Sequence, residues 1–129
     1  MDRARARRIA TAIAGCRILV GATAVLAPKL ALRGWTGGAT GDEAGGRLLA
    51  RAVGVRDIAL GAGAILAERH DAPVRGWIEA GYLTDVGDLA ATAIAFNNLP
   101  RLMRFGVLAA TAAATAAGAI VSPAVDKPS

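Results

Sequence analysis

Ala50-Arg51-Ala52-Val53-Gly54-Val55-Arg56-Asp57-Ile58-Ala59-Leu60-Gly61-Ala62-Gly63-Ala64-Ile65-Leu66-Ala67 is an apolar, helix-forming stretch with an arginine and an aspartate near its centre. Residues three and four apart share a helical face, so Ala50, Gly54, Asp57, Gly61 and Ala64 form one stripe. Small side chains let helices approach closely, which marks the stripe as a helix contact and carries Asp57 into it. Extended to Leu48, the stretch reaches the roughly 20 residues needed to cross a bilayer. The same design recurs on both sides. Ala10, Ala14, Arg17, Gly21 and Ala24 align ahead of it, and Gly81, Asp85, Asp88, Thr92 and Ala95 align after it.

Four membrane-spanning helices are expected, over residues 9–27, 48–67, 74–96 and 102–121, and the last is free of charge beyond Arg104. Pro28, the Gly- and Thr-rich stretch 34–46, the polar run 68–73 and Asn97-Asn98-Leu99-Pro100 separate them. The predicted architecture is all-α, an integral membrane antiparallel four-helix bundle forming a single domain over 1–129. The arginines of residues 1–8 place the amino terminus in the cytoplasm. An even number of spans returns 122–129, read as a flexible tail, to the same side of a multi-pass protein of the cell membrane.

Composition agrees. The hydrophobic fraction is 54% in 129 residues and mean hydropathy is +0.44, while aromatic residues make up only 4%, which suits tight helix packing better than a soluble core. The net charge of +5 does not point to nucleic acid, because four arginines crowd into residues 1–8 and no basic face with interleaved aromatics follows. Trp35 and Trp77 fall near predicted helix ends, where interfacial aromatics lie. The lone Cys16 excludes an internal disulfide, and no metal or cofactor is called for.

Two targeting readings compete for the first helix: a signal peptide, and a lipoprotein box at Ile13-Ala14-Gly15-Cys16. Arg17 lies inside the apolar run and that run continues well past the cysteine, so a retained helix is expected. Gly21-Ala22-Thr23-Ala24-Val25-Leu26-Ala27 echoes Gly61-Ala62-Gly63-Ala64-Ile65-Leu66-Ala67 at an offset that superposes Arg17 on Asp57. Shared composition is the preferred explanation.

An unpaired charge at mid-bilayer costs about 2.5 to 3.5 kcal/mol on insertion scales, so Arg17, Arg56, Asp57, Asp85 and Asp88 are expected to find partners. Arg56 and Asp57 project about 100 degrees apart and are expected to serve two different neighbours. Asp85 and Asp88 lie one turn apart on one face, where two carboxylates resist ionising together, so one is expected to hold a proton. A protonated carboxyl beside an ionised one, oriented by arginine, is an acid and base apparatus; the alternative is that the charges merely lock the helices together. Tyr82 and Thr92 are the expected substrate contacts, Tyr82 with simple packing as its alternative. Arg47, Arg51 and Glu79 lie near helix ends and are read as snorkelling. Thr111 and Thr115 are expected to satisfy their own helix carbonyls, and His70 to be solvated.

The pattern resembles the small four-helix membrane proteins of actinobacteria and fungi grouped near the DoxX-like proteins. Carrying the resemblance are Arg17 with Gly21 and Leu26-Ala27-Pro28, then Arg51 to Asp57 with Gly61, then Trp77 with Gly81, Asp85 and Asp88. Some fungal relatives look like polyketide-pathway enzymes placed beside epoxidases, so the resemblance implies a lipophilic substrate and an epoxide hydrolase or cyclase of secondary metabolism. Epoxide opening needs an acid at the oxygen and a base for the attacking water or hydroxyl. Asp85 and Asp88 would share those roles, Arg56 or Arg17 would orient a carboxylate, and Asp57 would hold the arginine. Limonene-type epoxide hydrolases use such a trio on an unrelated fold, an analogy of site alone. The rival readings are a non-catalytic membrane partner or small transporter or proton-relay subunit, associating with another membrane protein or with identical copies, and a soluble four-helix bundle.

Overall fold

The computed structural model describes residues 1–37 and 43–126, Leu102 by its backbone alone. Every regular element among them is helical. Asp2 caps α1 (Arg3–Leu26) by accepting from the Arg5 backbone N–H at 2.8 Å. Pro28 stops α1, because its ring disfavours helical geometry at Ala27, and then opens α2 (Pro28–Thr36) from the first helical position. Gly37, at φ 80°, closes α2 in the left-handed conformation that glycine adopts freely. Then come α3 (Ala44–Arg69), α4 (Arg75–Ile94), a short 3-10 turn (Phe96–Asn98) and α5 (Arg101–Val121), which runs into a second turn (Ser122–Ala124).

The long helices close a ring in which α1 packs on α3, α3 on α4, α4 on α5 and α5 back on α1, with α2 laid across α1, α3 and α5 at one end. The α1–α3 contact is made by backbone. A methyl group on Gly61 would lie 2.5 Å from Ala14 O, and one on Gly54 would lie 2.6 Å from Gly21 O. Sequence positions fall along α1 as they rise along α3, so the pair is antiparallel. Tyr82 on Gly118 joins α4 to α5, and Trp77 against Gly63 joins α4 to α3, both in the same up-and-down sense.

The interior holds small residues and the exterior holds large ones. Ala6, Ala10, Ala14, Ala64, Ala67, Val74, Ile78, Val121, Ala124 and Val125 form the core. Leu26 is 82% exposed and Ile94 87%, and Leu19, Leu48, Val55, Leu66, Leu83, Phe105 and Ile120 also face outward. Two helical segments, Arg3–Leu26 and Met103–Ala124, are long and apolar enough to cross a membrane. The other two expected spans carry Arg51, Arg56 and Asp57 on α3, and Glu79, Asp85 and Asp88 on α4.

Three expectations change. The first helix, expected from residue 9, already starts at Arg3, and Ala6 is fully buried. The stretch after Pro28, read as a connection, begins as the helix α2; residues 38–42 lie outside the described residues. The tail expected to be flexible is docked through Asp126. Val125 is 0% exposed, its carbonyl accepts from Arg7 Nε at 3.3 Å, and the Asp126 carboxylate accepts from the backbone N–H groups of Val74 (3.2 Å) and Arg75 (2.8 Å). That carboxylate satisfies the open amino end of α4, a cap supplied from the far end of the chain. Residues 127–129 lie outside the described residues.

Candidate functional site

The small-residue stripes turn inward and carry the central charges with them: Asp57 and Asp85 are each 8% exposed. Arg17 extends from α1 to both other helices, donating from Nη1 to Asp57 Oδ1 at 3.2 Å and from Nη2 to Asp85 Oδ2. Gly81 makes room for that reach, since a methyl group there would sit 3.0 Å from Arg17 Nε. Arg56 grips Asp88 with two N–H groups, Nη1 to Oδ1 at 3.3 Å and Nη2 to Oδ2 at 2.7 Å. Its Nε and Nη2 also donate to Asp57 Oδ1, each at 3.3 Å. The result is one alternating chain, Asp85, Arg17, Asp57, Arg56, Asp88, running across α1, α3 and α4.

This arrangement revises two expectations about pairing. Arg56 does not part company with Asp57: its side chain folds back onto its neighbour while also reaching α4. Asp85 and Asp88, expected to confront each other, each meet a different arginine instead. With two guanidinium groups and three carboxylates, the fully ionised set carries one net negative charge. Asp57 receives all three of its N–H contacts on one oxygen, Oδ1.

On one side of this chain lies an apolar cavity of about 480 Å³, open on one side and lined by α1, α2, α3 and α4. Asp57 and Asp88 line it, with Thr92 beside them and Val20, Ala24, Leu32, Trp35, Val53, Ala95 and Leu99 among its other walls. Asp57 Oδ1 and Asp88 Oδ2 both contact Arg56 Nη2, so the two carboxylates that line the cavity stand close together. Arg17 and Asp85 are not among the lining residues, and they support the pair from behind. Thr92 is buried at the cavity and spends its hydroxyl proton on Asp88 O at 2.7 Å. Tyr82 is placed elsewhere, with its Cβ against Gly118 of α5. Thr111 and Thr115 donate to Val107 O and Thr111 O, each at 2.9 Å.

Sequence reading missed α2 as a wall of the site. Its signal was available: Pro28 at a helix start, then Ala31, Leu32, Trp35 and Thr36 on one face, the same four that α2 contributes to the cavity. Trp35, read as an interfacial anchor, belongs to this lining. Comparison with protein-family models, with curated proteins and with solved structures finds no match for the chain.

Proposed function

We propose that this protein is a membrane-embedded four-helix bundle that admits a lipophilic small molecule to its cavity and acts on it by acid and base chemistry at Asp57 and Asp88. Epoxide opening, by hydrolysis or cyclisation, is the concrete form. The observation that carries the reading is the presence of two carboxylates, bridged by Arg56, at the edge of an otherwise apolar cavity. Embedding of all four long helices is supported by the large apolar side chains that face outward on each, and by the mutual pairing of the interior charges. Both described ends of the chain lie at the same end of the bundle, and the proposal places that end in the cytoplasm on the strength of Arg3, Arg5, Arg7 and Arg8.

In this mechanism one cavity carboxylate accepts a proton from water or from a hydroxyl of the substrate, and the resulting nucleophile attacks an epoxide carbon. The C–O bond breaks as the other carboxyl delivers its proton to the departing oxygen. A single proton shared among Asp57, Asp85 and Asp88 brings the five-residue set to neutrality, and it is the proton that the acid role requires. The roles therefore shift from Asp85 with Asp88 to Asp57 with Asp88, and Asp85 becomes the partner that holds Arg17.

The test is turnover of a long-chain 1,2-epoxyalkane by the purified chain in nanodiscs, read as diol by chromatography. Asp88→Asn is expected to reduce turnover at least about 100-fold while the thermal unfolding midpoint stays within a few degrees. Undiminished turnover in both Asp88→Asn and Asp57→Asn would overturn the assignment. A second, non-catalytic reading, in which the protein partners another membrane protein or copies of itself, is favoured by one observation: each of the five charges is paired within the set. It predicts that the same variants lose folding or association, with no separable loss of chemistry.

A further inference from the structure

Trp35 borders two separate spaces. It lines the cavity that holds Asp57 and Asp88, and it also lines an apolar groove of about 250 Å³ between α2 and α5, together with Gly34, Met103, Gly106, Val107, Ala110 and Thr111. No other described residue lines both. The indole is thus a partition, carried on a short helix that ends at left-handed Gly37. Both spaces are apolar, so removing the partition would join them into one continuous channel of the same chemical character, leading from the carboxylates towards α5.

We infer that Trp35 determines ligand length: it is the end wall of a chamber for an unbranched, chain-like apolar molecule, and it confines that molecule to the segment beside Asp57 and Asp88. This inference rests on the proposed ligand chamber but not on the proposed chemistry there. Specificity in such a chamber follows from burial. Measured against the free aqueous concentration of the ligand, each added methylene that finds apolar room strengthens binding about fourfold, and the gain stops when the chain meets the wall.

A series of 1-alkanols of increasing length, titrated into the full chain in nanodiscs with displacement of a fluorescent fatty alcohol as the readout, tests this without any turnover. The native protein is expected to gain about fourfold per methylene and then reach a plateau. In Trp35→Ala the rise continues over several further carbons, while Trp35→Phe moves the plateau only slightly. A plateau at the same length in Trp35→Ala as in the native chain overturns the inference and leaves the chamber standing. Absence of saturable displacement in the native protein overturns the chamber itself, and this inference with it. If Trp35→Ala does not fold, Trp77→Phe isolates the emission of Trp35, and alkanols brominated at the far carbon serve as probes. Quenching that sets in only once the chain is long enough to span the cavity supports the end wall, whereas quenching independent of length overturns it.

Discussion

The chain of ion pairs divides the bundle into two unlike halves. On the side of the amino terminus the interior is filled: Ala6, Ala10, Ala14, Ala64 and Ala67 let the helices close in, and Ile78, Val121 and Val125 occupy the remaining space. On the side of α2 the interior is hollow, although Gly21 and Gly54 bring α1 and α3 just as close there. The difference comes from the other wall. Where the half is filled, the turn after α5 folds over the bundle and Asp126 ties it to the start of α4. Where it is hollow, α2 takes that place and spans the gap with Leu32 and Trp35, leaving room beneath them. Close helix packing therefore did not decide which half is hollow; what caps each end did.

The boundary between the halves can be broken most severely at Arg17. Arg17→Leu leaves Asp57 with Arg56 but deprives the buried Asp85 of its arginine, and an uncompensated buried charge destabilises by about 3 to 5 kcal/mol. A large fall in the unfolding midpoint is expected, whereas a midpoint unchanged within error would show that the charge chain does not hold the halves together. Packing distinguishes the halves next. Gly61→Ala forces a methyl group against Ala14 O, with an expected cost of about 1 to 3 kcal/mol. Thr92→Leu, which projects into the cavity, is expected to cost less than about 1 kcal/mol while weakening alkanol binding. Equal costs at the two positions would contradict the contrast between filled and hollow.

The cap on the filled half is a smaller lever. Asp126→Ala removes the acceptor for the Val74 and Arg75 N–H groups and the partner of Arg7 at 3.6 Å, for an expected loss of about 1 kcal/mol. Hydrogen exchange at the start of α4 should quicken in this variant; exchange as slow as in the native chain would speak against a structural tail. The smallest effect is expected at Asp2. The Arg5 backbone N–H that it accepts holds its carboxyl below the ordinary carboxylate range. A lowered folded value means that the cap contributes above the unfolded pKa and fades as pH falls through the folded one. NMR shifts of the amides of residues 3–7 should report fraying of the first turn of α1 as pH falls below about 4, with the rest of the fold unmoved.

Helix type and inward face were legible from the chain itself. Ala10, Ala14, Gly21, Ala50, Gly54, Gly61, Ala64 and Gly81 all lie on buried faces at the spacing that marked them, and Asp57 and Asp85 follow because they occupy the same stripes. The 3.6-residue period is a local property, and a sequence displays it directly. The docking of Val125 was not legible, because its partners, Arg7 and Val74, are remote along the chain. Nor was the setting of α2, whose nine residues are too few for a long periodic signal.

What the sequence by itself determined, then, is a set of helices whose small faces turn inward and carry Arg17, Asp57, Asp85 and Asp88 with them. Only the tertiary structure decided how those charges pair, that Arg56 joins Asp57 to Asp88, and that these two carboxylates meet a cavity while Asp85 stands behind. The physical reason is that periodicity specifies the direction of a side chain around its own axis. Which long arginine reaches which carboxylate depends instead on the separation and rotation of whole helices, and on the room that residues such as Gly81 leave for the crossing.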